Sequence, residues 1–139
     1  MSIIRQTIIL LVFGFLIASL GCNDSGPAET EAAKIIVRLE IHFEGAGDDL
    51  SKEFQIVDQQ TVFELLQHAS AEGFLQFEHS GYGETSTFIT SIDGVNSQWA
   101  DGANWLFWVN EQMADVGCGA YRLSDGDRVA WKFSEKYLE

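Results

Sequence analysis

The feature that most constrains the fold is an alternation of apolar and polar residues within residues 34–44, KIIVRLEIHFE. Val37 and every second residue after it lie on one side of an extended chain, and Arg38 begins the opposite series. A period of two is typical of a β-strand with one buried face. After the turn-forming segment GAGDD, residues 50–57 (LSKEFQIV) predict the second strand of a hairpin.

One helix is predicted, over residues 61–73 (TVFELLQHASAEG). Thr61 and Glu64 have the spacing of a capping box, apolar residues recur on one face, and Gly73 is placed to end the helix. The segments that follow are short and rich in aromatic or β-branched residues: FLQFEHS, STFITSIDG, NWLFWVN and DRVAWKF. Two strands, a helix and further strands predict an α+β fold with a β-grasp-like mixed sheet packed on the single helix.

The N-terminal segment has the composition of a targeting signal. Its apolar run, Ile8 to Ala18, is too short for a confident membrane span but has the size of a signal-peptide apolar region. The following ASLGC resembles the lipobox of bacterial lipoproteins, with Cys22 as the acceptor of a diacylglyceryl group. An ordinary secretory signal and an uncleaved N-terminal helix are the alternatives. We predict a lipoprotein signal peptide over residues 1–21, a flexible tether over 22–33 and one domain over 34–139.

The charge balance argues against nucleic acid as a partner. The chain has 8 basic and 21 acidic residues, a net charge of −13 that repels phosphate backbones and anionic lipid headgroups. Solubility is the simplest explanation of this acidity. We therefore expect membrane attachment through acyl chains on Cys22, with the domain facing the periplasm or the exterior of a bacterial cell.

Catalytic and metal-binding signals are weak. His42, His68 and His79 lie on a predicted strand, the helix and a strand end, and no Ser or Cys nucleophile stands in a recognisable turn. Metal-ligand spacings such as H-x-x-x-H, C-x-x-C and the calcium loop are absent from the sequence. We predict no catalytic residue, no metal site and no required cofactor. Cys118, between two glycines, is expected to be a small buried residue.

Four motifs, in order, resemble those of the transcobalamin-like C-terminal domain family. They are TVFELL at the helix start, ITSIDG as a strand and turn, WLFWVN as the strand that the family writes W-x-x-x-V-N-G, and YRL followed by DGD and VAW near the end. Glu111 stands where the family usually has Gly. The resemblance extends over residues 34–134.

This family includes small bacterial lipoproteins and the C-terminal β-domain of animal cobalamin carriers. The resemblance implies a β-grasp-like fold. It also implies that cobalamin is a candidate ligand, because in the animal carriers this domain covers one face of a corrinoid held against a larger helical domain. No segment of this sequence resembles that helical domain, so contact with one side of such a ligand is expected, with a lower affinity.

A cluster of tryptophans is the candidate binding surface. A large flat ligand needs broad apolar walls with a few polar groups, and Trp and Tyr supply them at low entropic cost. We predict Tyr82, Trp99, Asn104 and Trp108 as ligand-binding residues, with Trp99 the strongest, although core packing is the simpler explanation of Trp105 and Trp108. The predicted function is a lipid-anchored, non-catalytic envelope protein that captures cobalamin or another small ligand. The alternative is a module that binds an envelope protein, such as a transporter, or a glycan through a strand edge or its acidic surface.

Overall fold

The structure is a computed structural model that describes residues 31–135. The predicted signal peptide, Cys22 and most of the predicted tether lie outside the described residues. The strands are β1 (Lys34–His42), β2 (Leu50–Val57), β3 (Phe77–Ser80), β4 (Phe88–Ile92), β5 (Val95–Asn96), β6 (Asn104–Val109), β7 (Gln112–Met113) and β8 (Arg128–Ser134), and the helix is α1 (Val62–Ala71). A single 3₁₀ turn, Trp99–Asp101, precedes β6 in this part of the chain. Among residues 31–135, no helix has the length and hydrophobicity that spanning a bilayer requires.

The larger sheet has five strands in the order β2-β1-β8-β6-β7. Strands β1 and β2 form the predicted antiparallel hairpin, with Lys34 opposite Val57 and Ile41 opposite Leu50. Strand β1 pairs in parallel with β8, whereas β6 pairs antiparallel with β8 and β7, so the sheet is mixed. Val37 and the alternate residues after it on β1 are buried, as the period-two pattern predicts.

Three strands form a separate antiparallel sheet in the order β3-β4-β5. The α+β prediction is confirmed, but the strands divide into two sheets where one was expected. A two-residue turn explains part of the division. Asp93 and Gly94 have φ values of 46° and 81°, which reverse the chain so that Val95 pairs back on Ile92. Strand β4 therefore pairs with its neighbours in the chain and not with the larger sheet.

Helix α1 begins with the predicted capping box. The Thr61 hydroxyl accepts a hydrogen bond from the Glu64 amide, and the Glu64 carboxylate accepts one from the Thr61 amide. The next two amides are also satisfied, because those of Val62 and Phe63 donate to the carbonyls of Tyr121 and Cys118. These bonds tie the segment before β8 to the start of the helix.

The core lies between the helix, the larger sheet and the smaller sheet. It contains the apolar helix face, the inner residues of β1 and aromatic rings from β6 and β8. The Phe107 and Trp131 ring centroids are 5.0 Å apart, and the Trp105 ring meets Phe43 edge-on at 5.4 Å. Cys118 is buried, as predicted.

Candidate functional site

A cavity of about 310 Å³ opens where the two sheets meet, and we call it the Trp99 cavity. Phe88 and Ile89 of β4 contribute to one wall, and Trp105 and Phe107 of β6 contribute to another. Residues 113–118 and Trp131 also line the cavity. The alternation of β6 turns Trp105 and Phe107 inward, so the inner wall of the cavity is continuous with the core.

Exposed apolar side chains surround the mouth of this cavity. Phe88 is 56% exposed, Trp99 54% and Val116 45%. Large apolar side chains that lie singly on a surface need no explanation, but their convergence on one concavity is typical of a binding site. The Trp99 cavity therefore offers an apolar surface to a ligand.

Trp99 is held in its position by Asn104. The Trp99 backbone has a φ of 59°, a left-handed conformation that is uncommon for a bulky residue. The Asn104 carbonyl oxygen, Oδ1, accepts the Trp99 amide proton at 2.8 Å, and its Nδ2 donates to the carbonyls of Trp99 and Gly102. The Asn104 side chain thus closes the turn that presents the indole. Both residues line the cavity.

Two polar side chains of the cavity are satisfied within the protein, whereas the buried Trp131 Nε1 has no partner among residues 31–135. The Ser97 hydroxyl donates to the Ile89 carbonyl, and the Cys118 thiol lies 3.7 Å from the Thr87 carbonyl oxygen as a weak donor. Burial raises the pKa of the Cys118 thiol to about 11, so it stays protonated at neutral pH. A protonated thiol is a poor nucleophile. The cavity is therefore chemically suited to hold apolar or aromatic groups.

The structure does not bring the four predicted site residues together. Trp99 and Asn104 share the cavity, whereas Tyr82, 87% exposed, lines a second cavity. Trp108 is buried, and its ring lies beneath the ammonium group of Lys132, with the nitrogen 4.8 Å from the ring centroid. Trp108 points away from Trp105 and Phe107 because successive residues of β6 face opposite sides of the sheet.

Sequence reasoning missed the apolar residues that complete the mouth. Phe88 stands directly before the buried Ile89 on β4, so strand alternation places it outward. The alternation could have identified Phe88 from the sequence, because a Phe on the outer face of a strand is expected to contact another element or a ligand. Val116 lies outside any strand or helix, and no local pattern marks it.

The acidic turn near the end of the domain is structural. Asp125 accepts the Ile36 amide proton, and Asp127 accepts protons from the Ser124 amide and the Asn110 side chain. Over residues 31–135, no group of three or more His, Cys, Asp or Glu side chains is arranged to hold a metal ion.

Residues 59–135, more than half of the 139-residue chain, match a family described as a domain of unknown function, DUF4430. The chain belongs to this family. No curated protein matches the chain.

Two solved structures share the fold of this member of the DUF4430 family. A crystal structure described as a candidate metal-binding protein from Ruminococcus gnavus ATCC 29149 is 18% identical, with a TM-score of 0.56, and the match covers 74% of this chain and 99% of that one. Haptocorrin in complex with Cbi is 17% identical, with a TM-score of 0.60, and the match covers 77% of this chain. The chain spans only 26% of haptocorrin. At these identities the likeness is one of fold.

Proposed function

We propose that this protein is a non-catalytic binding protein that captures a small ligand with a large apolar surface in the Trp99 cavity. The observation that carries the proposal is the convergence of Phe88, Trp99 and Val116, all exposed, on the mouth of one cavity. The hydrogen bonds of Asn104 to the Trp99 turn support the proposal. They hold the Trp99 backbone in a left-handed conformation that costs free energy, and the exposed indole gains too little packing to offset that cost.

A corrinoid of the cobalamin type is the ligand class that we propose. The likeness of fold to haptocorrin in complex with Cbi supports this class, as do the four motifs noted in the sequence. We interpret the mixed sheet and single helix accordingly as a β-grasp-like domain of the transcobalamin C-terminal type. A volume of about 310 Å³ is at the lower limit for ligand pockets, roughly 300–1,000 Å³. The cavity would hold one edge of a large ligand, and the exposed rings would cover part of its face.

We also propose that acyl chains on Cys22 attach the domain to a membrane of the bacterial envelope, with the domain facing the periplasm or the exterior. The apolar run, the lipobox-like ASLGC and the polar segment after it support this proposal. Such an anchor would keep a captured ligand close to the membrane. The absence of catalysis is likewise a proposal, supported by the raised pKa of Cys118, which lines the cavity.

Calorimetric titration of the purified protein with cyanocobalamin tests the ligand. We expect saturable binding that weakens about tenfold or more in Trp99→Ala, since a buried aromatic contact contributes roughly 1–3 kcal/mol. Val116→Ser should also weaken binding. Its matched control is Val57→Ser, which changes an exposed valine of β2 outside both cavities. Absence of cyanocobalamin binding, or binding that Trp99→Ala leaves unchanged, would overturn the proposal and favour a partner at the edge strand β2.

A further inference from the structure

We propose that the second cavity, the Tyr82 cavity, is an independent site for a small organic cation such as a quaternary ammonium. This cavity has a volume of about 320 Å³ and lies beside the start of α1. Its aromatic side chains are Phe63, His79 and Tyr82. Its charged side chains are Glu64, Glu84 and Arg122.

Aromatic rings form one side of the Tyr82 cavity. The Phe63 ring meets His79 edge-on with centroids 5.0 Å apart, and the Tyr82 ring also meets His79 edge-on, at 5.7 Å. Tyr82 is 87% exposed, and no hydrogen bond of its hydroxyl ties it to residues 31–135. Rings arranged around a cavity attract a cation through their negative faces.

The charged groups leave the cavity negative. Among the described lining residues Arg122 is the one guanidinium, and Glu64 and Glu84 are the two carboxylates. Arg122 Nη1 donates to the Gln59 carbonyl, and its Nη2 lies 3.6 Å from Glu84. Glu64 uses Oε2 to accept the Thr61 amide proton, while Oε1 accepts no hydrogen bond from the described residues. Two carboxylates and one guanidinium leave the cavity with a net charge of about −1. The net charge of the whole chain, −13, is also negative and favours a cation further.

The start of α1 does not compete for an anion at this cavity. The amides of Val62, Phe63 and Glu64 already donate to the Tyr121 carbonyl, the Cys118 carbonyl and the Thr61 hydroxyl. A helix start binds anions through free amides, and these are occupied. His79 supplies a further polar atom in the wall, because its Nδ1 is buried without a partner in residues 31–135. The balance of charge and rings favours a cation.

The Tyr82 cavity is distinct from the Trp99 cavity. Within residues 31–135, only Thr87 lines both cavities, and its hydroxyl donates to the Gly83 carbonyl at 2.7 Å. Variants of Tyr82 or Glu84 therefore leave the proposed corrinoid site intact, and the two proposals can fail separately.

Titration with choline, followed by calorimetry and by NMR shifts of the rings, tests the site. The reference probe is the uncharged isostere of choline, in which carbon replaces the quaternary nitrogen. We expect choline to bind about tenfold more tightly than the isostere, the effect of a partly desolvated cation on aromatic rings. Equal affinity for the two probes, no saturable choline binding, or preferential binding of glucose or inorganic phosphate would overturn the proposal.

Variants locate the site. Tyr82→Ala should abolish choline binding and Tyr82→Phe should retain it. Glu84→Gln should weaken it several-fold, whereas Glu111→Gln should not. Glu111 is a matched control because it too is exposed and lies 3.6 Å from an arginine, Arg128, outside the cavity. Choline affinity that is the same in Tyr82→Ala as in the unaltered protein would also overturn the proposal.

Discussion

The indole Nε1 of Trp105 donates a hydrogen bond of 2.8 Å to the carbonyl oxygen of Val95. Trp105 belongs to the five-stranded sheet and Val95 to the three-stranded sheet, so this bond joins the two sheets. The same ring packs against Phe43 and Phe133 at centroid distances of 5.4 and 5.3 Å. Because Trp105 also lines the Trp99 cavity, the shape of the cavity depends on how the sheets are joined.

Replacing Trp105 by Phe should therefore destabilise the fold. The substitution leaves the Val95 carbonyl without its donor in a part-buried site and opens space in the core. We expect the free energy of unfolding in urea to fall by about 1–3 kcal/mol. Trp99→Phe is the control, because Trp99 is 54% exposed and should change stability by less than about 0.5 kcal/mol. Equal stability of the two variants would show that the inter-sheet bond contributes little.

The contribution of the helix cap to the free energy of unfolding can be measured by replacing Thr61. Thr61→Ala removes the hydroxyl that accepts the Glu64 amide proton, and such a loss costs about 1 kcal/mol. The free energy of unfolding should fall by that amount, whereas Thr61→Ser keeps the oxygen and should retain most of it. A Thr61→Ser protein as unstable as Thr61→Ala would mean that packing of the methyl group, not the cap, is what Thr61 contributes.

Alkylation of the Cys118 thiol should be slow, and its rate should rise steeply with pH. With a pKa of about 11 instead of 9.0, it is about one thousandth thiolate at pH 8, compared with about a tenth for an ordinary thiol. In a Cys22→Ser protein, which leaves Cys118 as the one cysteine of the sequence, alkylation in the native state should be about a hundredfold slower than in urea. Comparable rates in both states would contradict the burial of this thiol.

The same raised pKa predicts a loss of stability at alkaline pH. The folded protein holds the Cys118 proton more tightly than the unfolded chain does, so this stabilisation is present below about pH 9 and is lost as the pH rises toward 11. Tyr121 adds to the loss, because burial raises its pKa as well. Urea unfolding in this pH range should show a smaller decline in Cys118→Ala than in the unaltered protein.

Acid should weaken the β1–β2 turn through Asp49. Its carboxylate accepts hydrogen bonds from the His42 ring and the Phe43 amide, which hold the pKa of Asp49 below its ordinary value of 3.8. A lowered pKa stabilises the fold above pH 3.8, and this contribution is lost as the pH falls through the lower folded value.

Asp49→Asn should therefore be less stable at about pH 6 and lose less stability between about pH 6 and pH 3 than the unaltered protein, as measured by urea unfolding. The matched control is Asp48→Asn, which changes the neighbouring exposed carboxylate and accepts neither of these two hydrogen bonds. An identical acid response in Asp49→Asn and the unaltered protein would remove this carboxylate from the acid transition.

The candidate site was only partly predictable from sequence. Trp99 and Asn104 were identified because an indole among polar residues is hard to place in a core, and they do lie together at one cavity. Tyr82 was assigned to the same surface, yet it lies at the second cavity. Proximity in the chain carries no information on which face of a loop a side chain occupies.

Local interactions determined much of this protein from sequence alone. Strands β1 and β2 follow from alternation, and helix α1 begins at the Thr61 cap, because these depend on residues a few positions apart. Only the tertiary structure decided that the strands divide into two sheets and that Phe88, Trp99 and Val116 meet at one mouth. Pairing between strands and the convergence of loops depend on contacts between residues far apart in the chain. Such contacts produce no periodic pattern in the sequence from which they could be predicted.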